Sequence, residues 1–307
     1  WIYKAADLAG LGTDSVRFIA TGDDLRMDLA QLERQVQADR AAGDLPFMVV
    51  GTAGSVSTGV IDDLPAIAAC AKRERLWFHV DGAYGGFAAA APGASRDLLA
   101  LSEADSVAVD PHKWLYAPLE AGCALVRDTE ALTKAFSYHP PYYHFGESAT
   151  NFVDYGPQNS RGFRALKVWL ALRHAGAAGY RRMIADDIAL AGVLADVVRQ
   201  HAELEFQTHD LSITTWRCVP SDLRARMGEA AVDTYLDVLN KELLSRIQSG
   251  GEAFVSNAVI RGRYVLRACI VNFNSSVADM HAVAQISARV GREIDREMRP
   301  AELRSGL

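Results

Sequence analysis

The sequence predicts an α/β fold, a mostly parallel sheet followed by a smaller α+β unit, and three observations predict it. Short apolar runs alternate with helical patterns through the first half. Several of those runs end in a polar or charged residue, as strands do when they empty into a crevice. Beyond about residue 165 the rhythm gives way to long helices and strands of mixed character. The chain has 307 residues, more than one average domain, so two units are expected, 1–165 and 166–307.

The elements follow in order. Trp1–Gly10 reads as a helix already under way, and Trp1 is not an initiator Met, so the chain is expected to be part of a longer polypeptide. Phe47–Gly51 is a short apolar strand, with Gly51-Thr52-Ala53-Gly54 and the polar run Ser55–Gly59 after it. Asp62 and Asp63 open an amphipathic helix that reaches Lys72, with Pro65 in its first turn. Leu76–Val80 is a continuous apolar run, suited to a sheet buried on both faces. Ser106–Val109 and Cys123–Val126 are further strands. Strand, helix, strand and helical connection therefore repeat, as in α/β proteins.

Ser137–Ser160 breaks the repeat with Pro140, Pro141, Gly146 and Pro157 among six aromatic residues. Disordered loops are poor in aromatics, so this segment is expected to be a lid. Phe163, Leu166, Trp169 and Leu170 then recur at helical spacing and lead into the second unit. A long helix through about Gln200 is expected, then strand Ser212–Cys218, helix Ala231–Gln248, strands Ala253–Ile260 and Tyr264–Asn272, and a last helix Met280–Met298. Asn274-Ser275-Ser276 matches a glycosylation triplet and is given no weight.

Composition excludes several functions. A net charge of −6 argues against a nucleic-acid surface. No apolar run approaches the roughly 20 residues of a membrane span. Cys70, Cys123, Cys218 and Cys269 lack metal-ligand spacing and are expected to be buried free thiols in a reducing cytoplasm. The GxSxG elbow, HExxH helix and P-loop patterns are absent from the sequence.

Two runs carry the chemistry: His79-Val80-Asp81-Gly82-Ala83-Tyr84-Gly85-Gly86 and Val109-Asp110-Pro111-His112-Lys113-Trp114. Taken singly, a lysine after a strand is a solvated charge and an aspartate there is a turn former. Together they end two consecutive βα-type units, and parallel sheets bind ligands outside the carboxyl ends of their strands. Neighbouring strands lie about 4.8 Å apart, so the two side chains can bracket one aromatic ring. A lysine and a carboxylate so placed suit pyridoxal phosphate, the amine bonding its aldehyde and the carboxylate facing its ring nitrogen. Ala83 could lie flat on the ring or be a core alanine; His112 could meet the substrate carboxylate or the phosphate; Gly51–Gly59 could cradle phosphate with backbone amides.

These blocks, with Gly51–Asp62 and Ser160–Trp169, resemble the pyridoxal-phosphate-dependent group II amino-acid decarboxylases, the family of aromatic-L-amino-acid decarboxylase. The resemblance runs from Trp1 almost to the C-terminus. It implies a fold-type-I large domain, here incomplete, over 1–165, with a small C-terminal domain over 166–307. By position it implies Lys113 as the imine lysine, Asp81 as the ring-nitrogen partner, Ala83 as the ring-packing alanine and His112 as the substrate-side histidine. Tyr142 falls on the loop tyrosine that protonates the α-carbon after decarboxylation, with Tyr143 one residue away. Relatives that make aldehydes carry phenylalanine there.

The resemblance also marks departures. Val56 stands where animal enzymes have a cofactor-contacting threonine, so that contact would be lost or shift to Ser55 or Ser57. Asp110 stands in place of an asparagine near the phosphate. The family's ring-stacking histidine and main phosphate loop lie before the segment matching Trp1. In plant relatives the position of Ser160 tends to be serine with phenolic substrates and glycine with indolic ones, which implies tyrosine- or dopa-like substrates. A homodimer with the active site at its interface, located in the cytoplasm, is also implied. The competing expectations are an aldehyde synthase, a decarboxylase of acidic or diamino acids, and a truncated paralogue that only binds partners.

Overall fold

Two four-stranded sheets organise the chain, and the computed structural model describes residues 1–142 and 150–304. Helix α1 (Ile2–Leu8) and helix α2 (Leu29–Ala41) precede β1 (Met48–Thr52). Helix α3 (Leu64–Glu74) leads to β2 (Trp77–Asp81), and 3-10 turns with the short α4 (Arg96–Leu99) lead to β3 (Ser106–Val109). After the single turn α5 (Pro111–Trp114) comes β4 (Cys123–Val126), then α6 (Thr129–Phe136). The order is β1-β2-β3-β4, parallel across the first three strands and antiparallel at β4.

The local chemistry explains these elements. Asp63 caps α3, its carboxylate accepting Ala66 N–H at 3.1 Å, and Pro65 sits where its missing N–H costs nothing. Asp62, expected beside it at the helix start, does something else. It is 7% exposed and accepts Thr52 N–H at 2.9 Å and Met27 N–H at 2.8 Å, tying β1 to the segment before α2. Val49, Gly51, Phe78, Val80, Val107 and Val109 form the buried face against Leu64 and Ile67 of α3.

One expectation for this sheet fails. The other face is not buried: Val50, Thr52, Trp77, His79, Asp81, Ser106 and Ala108 are only partly covered. Cys123, expected to be buried, is exposed on β4, where Cys123, Ala124 and Leu125 all face solvent. The run Leu76–Val80 is less uniformly apolar than it was taken to be, because His79 interrupts it.

The second half is built on α7 (Arg164–Gln200), which breaks its helical geometry at Gly176, where φ is 65°. Then come β5 (Leu204–Asp210), β6 (Ile213–Cys218), α8 (Ala230–Gly250), β7 (Ser256–Ile260), β8 (Arg263–Cys269) and α9 (Val277–Met298). The sheet runs β5-β6-β8-β7, antiparallel throughout. Strand β5 was not expected. Its sequence, Leu-Glu-Phe-Gln-Thr-His-Asp, is too polar for an apolar run, and it is stabilised as the hairpin partner of β6. Ser276 of the glycosylation triplet caps α9 in a reciprocal pair with Asp279.

A large core forms between this sheet and the inner faces of α7, α8 and α9, including Leu194, Trp216, Leu239, Leu266 and Ile294. The first sheet's core is separate but takes in Ile184 and Ile213 from the second half. Among the described residues no helix is long and apolar enough to cross a membrane, and no group of side chains could hold a metal ion.

Candidate active site

The ends of β2 and β3 run side by side. Asp81 pairs with Ala108 across the parallel ladder, and the pairing continues as Gly82 N–H donates to the Ala108 carbonyl at 2.9 Å and Asp110 N–H to the Ala83 carbonyl at 3.2 Å. Asp81, Ala83, Asp110, His112 and Lys113 therefore leave the sheet at one edge, from neighbouring strands. The loops above pack tightly: a Cβ on Gly85 would run into the Ala53 carbonyl, so only glycine lets the loops after β1 and β2 approach so closely.

Lys113 lies in α5, its side chain 40% exposed, and its Nζ is 2.9 Å from Asp110 Oδ2. His112 Nε2 is 3.7 Å from that same oxygen, and its Nδ1 lies 2.6 Å from the Ala121 carbonyl oxygen. Asp110 thus faces the lysine and the histidine. Its carboxylate is turned towards these two basic side chains. Asp81 accepts Ala83 N–H at 3.1 Å, which fixes its carboxylate at the strand end. His79, two residues earlier on the same face, has its Nδ1 2.7 Å from Ser106 Oγ, and burial lowers its pKa while the charge of Asp81 pulls it up.

The remaining expected site residues are placed differently. Ser55 is engaged in its own turn, its Oγ 2.7 Å from Thr58 Oγ1 and its carbonyl accepting Gly59 N–H. Tyr142 is 76% exposed, and Ser160 is exposed in the turn before α7. Arg164 Nε donates to Glu120 Oε1 at 2.6 Å, which brings the start of α7 beside the loop that follows Lys113. Tyr143 lies outside the described residues, as does the 143–149 stretch of the expected lid.

Sequence reasoning missed a second set of residues around the lysine. Trp114 Nε1–H donates to Asp187 Oδ2 at 2.9 Å, and Tyr116 O–H donates to the same oxygen at 2.5 Å. Tyr180 O–H donates to the Leu115 carbonyl at 2.9 Å. Tyr84 stacks on Trp114 with centroids 4.9 Å apart, and its hydroxyl lies 2.7 Å from Ser212 Oγ. Burial pushes the Asp187 carboxyl upward, and the bonds from Tyr116, Trp114 and the Asn272 backbone oppose that rise. The signal was legible: Ile184, Asp187, Ile188 and Ala191 share a helix face, so Asp187 had to be buried.

Comparison with known proteins adds the following. Residues 1–215 match the pyridoxal-dependent decarboxylase conserved domain. An aromatic-L-amino-acid decarboxylase of Bacillus atrophaeus is 33% identical over 90% of this chain and 57% of its own length. Tryptophan decarboxylase 1 of Oryza sativa subsp. japonica is 35% identical over 92% of this chain and 55% of its own. A crystal structure of Oryza sativa TDC with PLP and tryptamine superposes with a TM-score of 0.87 at 31% identity, covering 95% of this chain and 60% of that one. The chain spans about half the length of the curated relatives it matches.

Proposed function

Because this chain belongs to the pyridoxal-dependent decarboxylase family, we propose that it carries the lysine-bearing part of an enzyme that decarboxylates an L-amino acid to its amine. The observation that supports this most is the placement of Asp81 at the end of β2 and of Lys113 in the turn that follows the adjacent parallel strand β3. The donor set fits pyridoxal phosphate: an amine for its aldehyde and a carboxylate for its ring nitrogen. When bound, the cofactor supplies the electron sink for the pair left at the α-carbon as carbon dioxide departs.

The chain's own residues have separate tasks in this reading. Lys113 would bond the cofactor's aldehyde, and the Asp81 carboxyl would face its ring nitrogen. Ala83 would pack on the ring and His112 would face the substrate carboxylate or the phosphate. Asp110 lies against Lys113 and His112 and so would help orient the lysine amine. Tyr142 would deliver a proton to the α-carbon, which would favour amine over aldehyde. Ser55 has its hydroxyl occupied by Thr58 and offers its turn, more than its side chain, to a phosphate.

The substrate is read as an aromatic amino acid, a class supported by the relatives' names. Ser160 supports a phenolic ring over an indole. The division into units 1–165 and 166–307 is supported by the two separate cores, although Ile184 and Ile213 serve the first core from within the second unit. A homodimer is supported by exposed Phe163, Trp169 and Phe152, since aromatics are enriched in interfaces. A cytoplasmic location is part of the same reading, which the free cysteines support.

The test is chemical. The full-length protein should show a visible absorbance with pyridoxal phosphate, and borohydride should bleach it and fix the label on Lys113. Lys113→Ala should lose the chromophore and keep its fold. A single label on another lysine in that variant would sink the assignment.

A further inference from the structure

Lys113 sits in a helix of a single turn, Pro111–Trp114, too short to fix its own orientation by internal hydrogen bonds. The residues just after it are held from outside. Trp114 and Tyr116 both donate to one oxygen of Asp187, and Tyr180 of the same helix donates to the carbonyl of Leu115, between them. Three consecutive residues are thus pinned to α7. Tyr116 has a left-handed backbone, φ 51°, which is unfavourable for a residue with a Cβ. Such a conformation persists only where the surroundings over-determine it, and here the bond to Asp187 and the ring contacts with Tyr180 and Phe273 do so.

Asp187 itself is 1% exposed and makes no salt bridge among the described residues. A buried carboxylate without a cation is costly, so its presence on the apolar face of α7 calls for a compensating use. Its neighbours define that use: everything donating to it, apart from the Asn272 backbone, comes from the segment that carries Lys113.

We propose that Asp187 is a positioning residue for Lys113, its carboxylate anchoring Trp114 and Tyr116 so that the lysine leaves the β3 end in one orientation. This rests on the reading of Lys113 as the residue that bonds pyridoxal phosphate. Asp187 touches neither cofactor nor substrate and acts only through the two aromatic residues. Stacking of Trp114 on Tyr84, three residues after Asp81, extends the anchor to the other strand end. One carboxylate on α7 therefore sets the lysine relative to the aspartate.

The experiment uses the full-length protein freed of cofactor and then supplied with pyridoxal phosphate. Asp187→Asn keeps the side-chain size but turns an amide donor towards the donors that surround it. It should slow covalent attachment, followed by visible absorbance, by about tenfold or more, since misplacing a reacting group by an ångström can cost about a hundredfold. Its kcat should fall more than its KM rises. In a Lys113→Ala background, the same change should leave the affinity for pyridoxal phosphate, read by fluorescence quenching, unaltered. Attachment at the wild-type rate overturns the proposal, and so does an equal loss of affinity in both backgrounds, which marks a merely structural role. If Asp187→Asn does not fold, Tyr116→Phe removes one donor at no cost in volume and should also slow attachment; a wild-type rate there overturns the proposal. Covalent attachment that survives Lys113→Ala overturns the underlying reading as well, which separates the two failures.

Discussion

Strands β2 and β6 both lie inside their sheets, yet they are covered in different ways. In β2, Phe78 and Val80 are buried while Trp77, His79 and Asp81 on the opposite face are half-covered. All six residues of β6 are buried, including Arg217, which reaches Asp237 at 3.0 Å. The antiparallel sheet closes its core with helices from this chain. The parallel sheet closes one face and leaves the face bearing the candidate chemistry accessible. Within this chain, which spans about half the length of its relatives, the second sheet is the more fully covered of the two. Asp187 joins them, its carboxylate on the supporting side and its donors on the open one.

This contrast predicts that substitutions on the open side change chemistry and not stability. Tyr142→Phe in the full-length enzyme should cut amine formation by about a hundredfold to ten-thousandfold, the usual worth of a positioned proton donor, and divert product to aldehyde. Its unfolding midpoint should stay where it is, because Tyr142 is 76% exposed. Product analysis with a denaturation curve checks both halves. If Tyr143→Phe shows the effect and Tyr142→Phe does not, the register is off by one.

The closed side should behave in the opposite manner. Leu239 is fully buried in the second core, and Leu239→Ala should cost about 2–5 kcal/mol of stability. Leu125, 55% exposed on β4, should tolerate Leu125→Ala within about 0.5 kcal/mol in the 307-residue chain. Urea titration of both variants makes the comparison. A large loss at Leu125 would show that β4 is covered even in this chain and would remove the contrast.

Most strands and helices were legible because their periodicities were undisturbed. Ser106–Val109 and Cys123–Val126 have the bounds that the apolar runs gave. Strand β5 was not legible, since a polar strand is recognised by its partner and not by its own residues. The exposure of Cys123 was hidden for a related reason: whether an apolar edge strand is covered depends on what packs beside it. At the candidate site, the strand-end pair Asp81 and Lys113 could be read from one dimension. Of the clamp only the burial of Asp187 could be read, from its helix face; its partners could not, because Asp187 is 74 positions from Lys113 and nothing in either run points to α7.

The smallest expected effect concerns which amino acid is preferred. Ser160 lies on the open side, exposed, four residues before the Arg164 that binds Glu120 in the loop after Lys113. That ion pair ties the start of α7 to the loop after Lys113, and Ser160 is exposed, so a change there should disturb neither core. A hydroxyl can hydrogen-bond a phenol, and its bulk narrows the space an indole needs. Ser160→Gly should therefore shift the kcat/KM ratio from tyrosine- or dopa-like substrates towards tryptophan. One small side chain is worth about 1–3 kcal/mol of discrimination, so the shift should lie between about tenfold and two hundredfold. Competition between the two substrates on the full-length enzyme measures it directly. A wild-type preference for tryptophan, a substrate named in one of the relatives, would show that the ring is selected elsewhere, and the hydroxyl at Ser160 would then be a feature of the turn alone.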